Sequence, residues 1–182
     1  MNSYWRPAAR ARSLGAVSDK LLFRLTKLMN NAMVIVTTQV TTQAGDHRSG
    51  CLVGFSTQAG INPPRFLVCL SQTNHTFEVA ARAEHLAIHL LSRDATDLAE
   101  LFGGETDDEV DKFEHCAWHS GPRGMPILDK AAAWLVGETV DRIDFGDHTG
   151  YLLQPVDAWF ADGAADLIHF ADVMTMEPGH DP

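Results

Sequence analysis

Polar side chains that can bind an anion follow an apolar stretch of strand length. The run Phe66-Leu-Val-Cys-Leu70 is followed by Ser71, Asn74 and Thr76, where a helix over residues 76 to 84 is indicated. A helix start presents unpaired backbone N–H groups and the positive end of the helix dipole, so these side chains can hold a phosphate without a buried Lys or Arg. Ser71 or Asn74 can instead simply cap the helix. Both interpretations stay open at this point.

A second candidate is the histidine in the tetrapeptide Gly146-Asp147-His148-Thr149. A histidine at the start of a strand that faces a cleft can donate a hydrogen bond to a ligand carbonyl. Gly-Asp is also common at the tip of a β-hairpin, so a plain turn is the alternative. We interpret His148 as a functional residue.

Other histidines do not have the spacing of metal ligands. His85 and His89 alternate with apolar residues as in a strand, and two such imidazoles lie about 13 Å apart along a strand. His115, Cys116 and His119 are close in sequence, but a structural zinc site needs a fourth ligand and usually a matching second pair. We therefore predict no metal site.

Composition favours one acidic globular domain. The chain has 182 residues, of which 45% are hydrophobic and 21% charged, which is enough for a sizeable core. The net charge is -10, although residues 1 to 30 carry six Lys or Arg against one acid. A nucleic-acid partner is excluded, because phosphate neutralisation needs a basic surface.

Cysteine usage and hydropathy bear on location. Cys51, Cys69 and Cys116 lie far apart without paired spacing, which favours a reducing, cytoplasmic compartment. No run of about 18 apolar residues is present, so no membrane segment is predicted. Residues 1 to 17 contain arginines but no apolar core of a secretory signal, and we expect them to form a flexible extension.

Apolar periodicity predicts a mainly β chain. The predicted helices cover residues 18 to 30, 76 to 84 and 94 to 102; the predicted strands cover residues 32 to 43, 49 to 58, 66 to 70, 86 to 91, 131 to 141, 151 to 160 and 167 to 170; and residues 116 to 125 are predicted to be an irregular loop. These elements indicate a small β-barrel decorated by inserted helices. A single domain is expected over residues 18 to 175, with a tail over residues 176 to 182.

Several short motifs follow one another along the chain. They are a Val-Thr-Thr strand, the arm Gly-Cys-Leu-Val-Gly-Phe, Asn-Pro-Pro, an apolar strand that ends in Ser-x-x-Asn-x-Thr, Asp-Leu-Ala-x-x-Phe, Asp-Lys-Phe, Pro-Ile-Leu-Asp, Ala-Trp-Leu and Gly-Asp-His-Thr. In this order they resemble the flavin reductase-like, FMN-binding split-barrel family over about residues 20 to 170. The resemblance implies a mainly β split barrel with inserted helices.

The resemblance also implies a homodimer with one FMN in each of two clefts near the subunit interface. The isoalloxazine ring is expected against an arm made of Cys51, Leu52, Val53, Gly54, Phe55, Ser56 and Thr57. The phosphate is expected at Ser71, Asn74, His75 and Thr76, where the residues alone already suggest an anion site. Lys112 and Phe113 are expected near the cofactor.

Three features depart from the family pattern. The string Cys51-Leu-Val-Gly54 lacks the hydroxyl groups that many relatives carry before the Phe, and we expect Ser56, Thr57 and Gln58 to compensate. His89 stands where the family more usually has Asn. The chain beyond Phe170 lacks the expected aromatic ending.

The implied activity is that of an NAD(P)H-dependent flavin reductase, in which hydride passes from nicotinamide C4 to flavin N5. His148 is its expected catalytic residue, FAD is an alternative to FMN, and a monooxygenase is the expected partner for the reduced flavin. No Gly-x-Gly-x-x-Gly follows a strand, so NAD(P)H is expected to bind transiently over the flavin. Two other hypotheses compete: a non-catalytic flavin-binding or storage module, and a split-barrel protein that uses deazaflavin or haem.

Overall fold

The computed structural model describes residues 19 to 104, 110 to 163, 166 to 176 and residue 179. The strands among them are β1 (Val34–Thr42), β2 (Gly45–Val53), β3 (Ser56–Ile61), β4 (Pro64–Ser71), β5 (His85–Leu90), β6 (Trp118–Ser120), β7 (Pro126–Leu128), β8 (Ala133–Asp144) and β9 (His148–Phe160). The helices are α1 (Asp19–Met29), α2 (His75–Ala80), α3 (Thr96–Gly104) and α4 (Phe170–Val173), and single 3-10 turns cover Arg93–Ala95, Lys112–Glu114 and Pro122–Gly124.

Two predictions concern residues at the ends of the chain. The flexible extension predicted for residues 1 to 17 lies outside the described residues. Of the tail predicted for residues 176 to 182, only Met176 and Gly179 are described, and the Gly179 N–H donates to the Gly103 carbonyl at 3.0 Å. The boundaries of the domain therefore stay a prediction.

Helix α1 belongs to a unit of its own, which ends at Asn30. The leucine spacing that predicts a helix is confirmed, and Leu21, Leu25 and Leu28 are all exposed. Asn30 has a φ of 45°, a left-handed conformation that Asn tolerates at the end of a helix. No helix of the described residues is long and apolar enough to cross a lipid bilayer.

The second unit, which begins at Asn31, is built on one antiparallel sheet. Its seven strands are hydrogen-bonded in the order β2-β1-β5-β8-β9-β4-β3, and β6 and β7 form a separate hairpin. The β-branched and apolar residues of β1, β4 and β5 account for these strands, because such side chains pack well on a pleated surface. The expected mainly β architecture with inserted helices is confirmed.

The sheet curls around one apolar core. Cys51 and Val53 on β2 share a buried cluster with Val68 and Leu70 on β4, although β2 and β3 stand at opposite ends of the hydrogen-bonding order. Tyr151 on β9 is fully buried in the same cluster. The sheet therefore curls far enough for the edge strand β2 to share a core with β4, which lies next to the opposite edge strand.

A second core lies on the other face of β2. Phe102 of α3 and Phe113 pack there with rings in an edge-to-face arrangement at 5.7 Å. Close approach depends on glycine: a Cβ on Gly50 would lie 2.7 Å from the Phe102 ring, and one on Gly103 would lie 3.0 Å from Leu52. Helix α3 can therefore pack closely against β2.

The strand predicted over residues 49 to 58 is wrong in one respect, because it is two strands. The chain leaves the β1 ladder after Val53 and joins β4 from Ser56 onward, with a break at Gly54 and Phe55. Such a change of pairing partner depends on the whole sheet, whereas the local residue pattern is continuous across the break.

Four smaller predictions are also corrected. The loop predicted over residues 116 to 125 contains β6, and the helix predicted to reach residue 84 ends at Ala80. The strand predicted over residues 167 to 170 consists only of isolated bridges before α4 begins. Strand β4 is buried fully on one face only, since Leu67 and Cys69 are half-buried.

Candidate functional site

The break between β2 and β3 brings the predicted arm onto β4. The Phe55 carbonyl accepts a hydrogen bond from the Cys69 N–H at 2.9 Å, and β3 then pairs with β4 from Ser56 opposite Val68. The ring of Phe55 is 57% exposed. The arm therefore presents an aromatic ring and a bent backbone to the outer surface of the sheet.

The end of β4 and the start of β9 form the next part of the site. Ser71 lies directly opposite His148 in the ladder, and the Gln72 N–H donates to the Asp147 carbonyl at 2.9 Å. The Gln72 side-chain amide donates to the Thr149 hydroxyl at 3.2 Å. These bonds hold the two predicted regions, around residue 71 and around residue 148, side by side at the end of β4 and the start of β9.

His148 lies between a carboxylate and an aromatic ring. Its Nδ1 is 3.0 Å from the Asp147 carboxylate, and its ring centroid is 5.1 Å from that of Phe55. Because an ionised carboxylate only accepts hydrogen bonds, Nδ1 carries the proton and Nε2 is left to interact with a ligand. The hydrogen bond from His148 in turn lowers the pKa of Asp147.

The outer surface beside His148 is apolar and shaped by a glycine. Leu67, Cys69 and Gly150 are on the same face as His148, because cross-strand partners point to one side of a sheet. A Cβ on Gly150 would lie 2.6 Å from the ring of Phe145, so the missing side chain lets that ring lie on the sheet. Phe145 is 55% exposed. The exposed rings of Phe55 and Phe145 form an aromatic shelf that can pack against a planar aromatic ligand.

The predicted anion-binding residues surround the start of α2. The Asn74 side chain accepts from the Thr76 N–H at 2.8 Å, so Asn74 does cap the helix. The Thr76 hydroxyl is buried and hydrogen-bonded to Ser49 at 2.9 Å. Ser71, Asn74 and His75 are half-buried, and anion binding by the set stays a prediction.

The first residues of the predicted arm offer backbone rather than side chains. Cys51 and Val53 point into the core, and Leu52 packs against Gly103 of α3. Ser56 and Thr57 lie on β3 beside β4. A ligand on this arm would therefore meet peptide groups near residues 51 to 54 and hydroxyl groups only further along.

Lys112 and Phe113 lie on the α3 side of β2. The Lys112 ammonium group donates to the Gly50 carbonyl at 2.9 Å, and the residue is only 2% exposed. The Phe113 ring is buried and lies edge-to-face against Trp118 at 5.6 Å. Both residues thus support the arm from behind, and the expected contact with a cofactor stays a prediction.

His89 has a clear structural role. Its Nδ1 lies 3.1 Å from the Ile35 carbonyl, and its Nε2 accepts from the Leu128 N–H at 3.3 Å. Burial lowers its pKa from 6.5 to about 4 and the Ile35 hydrogen bond only partly opposes that shift. His89 therefore joins β1, β5 and β7 as a neutral imidazole. Among the described residues, no group of three or more His, Cys, Asp or Glu side chains is placed to hold a metal ion.

Sequence reasoning missed several residues that shape the site. Gln72 and Asp147 position the β4 and β9 ends, and Phe145 forms part of the aromatic shelf. Arg48 stacks over the Trp118 ring at 4.6 Å. The signal for Asp147 was present, since it precedes His148 directly, but the others depend on contacts between distant strands.

Comparison with known proteins places this fold in a family. The flavin reductase like domain matches residues 26 to 176. The chain is 33% identical over 115 residues to the stachydrine N-demethylase reductase subunit Stc3 of Rhizobium meliloti, covering 61% of this chain and 49% of that protein. It is 26% identical over 131 residues to the FMN reductase (NADH) RutF of Pseudomonas syringae, covering 72% of this chain and 73% of that protein. The chain thus spans about half the length of the demethylase subunit.

A solved structure has the same fold. The NADH:FAD oxidoreductase SgcE6 of Streptomyces globisporus superposes with a TM-score of 0.70 at 20% identity, covering 86% of this chain and 92% of that one. The match over residues 26 to 176 includes the whole sheet, the arm and the β8–β9 hairpin described above. The chain belongs to the flavin reductase like domain family.

Proposed function

We propose that this chain is an NAD(P)H-dependent flavin reductase that binds FMN on the outer surface of β3, β4 and β9. The observation that carries the proposal is the convergence of Phe55, Ser71 and His148 on that surface in a member of this family. RutF, whose name gives FMN and NADH, supports the choice of flavin and donor. FAD is the alternative flavin.

The residues present fit a flavin mononucleotide. The exposed Phe55 ring and the backbone of residues 51 to 57 would hold the isoalloxazine ring, whose pyrimidine edge needs hydrogen-bonding groups. Ser71, Asn74, His75 and Thr76 would hold the phosphate at the start of α2. His75 also borders a cavity of about 240 Å³ with Arg48, and the carboxylates of Asp46 and Asp111 line the same cavity.

His148 has the clearest chemical role in this proposal. Bound flavin supplies the hydride-accepting centre, and the protein supplies position and electrostatics. With Nδ1–H donated to Asp147, the Nε2 atom of the neutral ring can accept a hydrogen bond from the flavin N3–H or from the NH2 group of the nicotinamide carboxamide. Asp147 fixes the ring orientation, and stacking distance between the two ring systems needs no acid or base from the chain.

A homodimer is part of the proposal. Phe55, Phe145 and Ile61 are more than half exposed on or beside the outer surface of β3, β4 and β9, and an apolar patch of this kind commonly marks an interface. A second copy on this surface would close the flavin site from the open side. Light scattering of the purified chain measures the mass directly, and a monomer at micromolar concentration would contradict the dimer.

A monooxygenase is the proposed recipient of the reduced flavin. The demethylase subunit Stc3 is named a reductase subunit, which supports a role as one component of a two-component system. A cytoplasmic location is proposed with it, because Cys51, Cys69 and Cys116 form no disulfide bonds, as is usual in a reducing compartment.

Anaerobic absorbance spectroscopy tests the activity. The purified chain with FMN is expected to show bound flavin that bleaches on adding NADH or NADPH. His148→Asn should slow bleaching by about 10- to 100-fold, the scale of one hydrogen bond to a charged or polarised group. His119→Asn is the matched control, since His119 is exposed and paired with Asp129 on the β6–β7 hairpin.

The other outcomes decide between the competing functions. Bound flavin that no nicotinamide reduces would contradict the reductase and favour a flavin-binding or storage module. A Soret band, or binding of a deazaflavin in place of FMN, would favour a split-barrel protein that uses haem or deazaflavin. Failure to bind any flavin would refute the site at the β4 and β9 ends.

A further inference from the structure

Two histidines that are 28 residues apart in sequence meet at the surface of the second unit. His47 on β2 and His75 at the start of α2 place their Nε2 atoms 3.2 Å apart. We propose that these two imidazoles form a binding site for a divalent late first-row transition-metal ion, such as Zn²⁺ or Cu²⁺. This site is distinct in chemistry from the flavin site, although His75 borders both.

The spacing of the two nitrogens fits a shared ion. With metal–nitrogen bonds of about 2.0 to 2.1 Å, a nitrogen separation of 3.2 Å corresponds to an angle at the ion of about 99° to 106°. That angle lies between square and tetrahedral coordination. The ring centroids are 5.4 Å apart with planes at 75°, so the rings face one another nearly head-on. The two nitrogens are hydrogen-bonded to each other, so binding one ion would displace the shared proton and turn each ring by about 40°.

A carboxylate behind His75 supports the proposed coordination. The other ring nitrogen of His75, Nδ1, lies 4.0 Å from the Glu78 carboxylate one helical turn away. A carboxylate in this position favours the proton on Nδ1, and the Nε2 lone pair is then the one that faces His47. In many metal sites a carboxylate that is hydrogen-bonded to the imidazole orients the histidine ligand, whereas at 4.0 Å Glu78 acts on His75 through its charge.

Water would supply the remaining ligands, because no third His, Cys, Asp or Glu side chain of the described residues is placed to bind the same ion. Asp46, Arg48 and Asp111 border the same cavity of about 240 Å³, which has room for bound waters. The Arg48 guanidinium stacks over Trp118 and lies 3.9 Å from Asp111, so its charge is partly balanced. Two imidazoles with carboxylates and water nearby suit Zn²⁺, Cu²⁺ or Ni²⁺ better than Mg²⁺ or Ca²⁺, which prefer oxygen ligands.

Metal titration of the flavin-free protein tests the proposal. The full chain, without an affinity tag and after treatment with EDTA, is titrated with Zn²⁺ in a calorimeter. One ion per chain is expected, and His47→Gln or His75→Gln should each weaken the affinity by at least about tenfold. Glu78→Gln should weaken it by about tenfold, the scale for a carboxylate that orients a ligand. His119→Gln is the matched control for an exposed histidine elsewhere, and it should bind as the parent protein does.

Electron paramagnetic resonance with Cu²⁺ counts the ligands. Two equivalent nitrogens are expected in the parent chain and one in either histidine variant. The proposal is overturned if His47→Gln retains the parent affinity, or if the Cu²⁺ spectrum of the parent shows fewer than two imidazole nitrogens. Metal-free melting temperatures of all variants confirm that the exposed substitutions leave the fold intact.

The two proposed sites can fail separately. His47 is not among the residues proposed to bind flavin, so His47→Gln should weaken metal binding without changing FMN affinity in metal-free buffer. A chain that binds Zn²⁺ but no flavin would refute only the reductase. A chain that binds flavin but shows no two-nitrogen site would refute only the metal site.

Discussion

Buried His89 should make the free energy of unfolding depend on pH. The folded chain holds its pKa at about 4, compared with 6.5 for an exposed histidine, chiefly because burial disfavours the charged ring. Between these two values the unfolded chain binds more protons than the folded chain, so stability rises with pH in this range. The contribution is complete above pH 6.5 and is lost as the pH falls towards 4.

The magnitude follows from the size of the pKa shift. A difference of 2.5 pH units, at about 1.4 kcal/mol per unit, corresponds to about 3 kcal/mol in total, of which about 2 kcal/mol is lost between pH 7.5 and pH 5. Protonation would also cost the bond from the Leu128 N–H, because Nε2 would no longer accept it. Loss of this bond would loosen the contact between β5 and β7.

Urea unfolding of the flavin-free protein at pH 5 to 7.5 measures this effect. The matched variant is His89→Asn, because Asn keeps one donor and one acceptor for Ile35 and Leu128 but does not titrate. Its absolute stability is not the test, since the shorter side chain changes the packing. The slope with pH is the test: equal slopes for the parent and the variant would refute the argument, because the other histidines titrate in both.

Three further outcomes are expected. Lys112→Met should lower the free energy of unfolding by about 1 to 3 kcal/mol in chemical denaturation, because the hydrogen bond from the Lys112 ammonium group to the Gly50 carbonyl is lost. Gly150→Ala should displace the exposed Phe145 ring, changing FMN affinity in a fluorescence titration while the melting temperature stays close to that of the parent. Asn74→Ala should cost about 1 kcal/mol of stability through loss of the helix cap; unchanged FMN affinity in this variant would show that Asn74 is only a cap.

The strands were predictable where the local pattern decides them. β1 is rich in Val and Thr, and the run from Phe66 to Leu70 lies within β4, so propensity and hydrophobicity agree there with the final pairing. The break at Gly54 and Phe55 was not predictable in this way. It arises because the sheet curls, and a strand that continued past Val53 along β1 could not also pair with β4.

The candidate site divides in the same manner. Ser71 and His148 end and begin strands, so their meeting follows once β4 and β9 pair, and the sequence marks both ends with polar residues. The direction of individual side chains was harder to foresee. Alternation along β2 turns Cys51 and Val53 into the core, which a ligand interpretation of a continuous arm does not take into account.

His47 and His75 show why part of the chemistry lies beyond sequence patterns. Metal motifs are recognised when ligands recur within a few residues on one helix or loop. These two histidines meet only because β2 runs antiparallel to β1 and α2 packs over both strands, with Ser49 and Thr76 hydrogen-bonded two positions and one position further along. The Ser49–Thr76 bond anchors the start of α2 on β2, and it therefore sets the distance between the imidazoles. Removing that bond with Thr76→Val, which leaves both histidines in place, should weaken Zn²⁺ binding through misplacement alone.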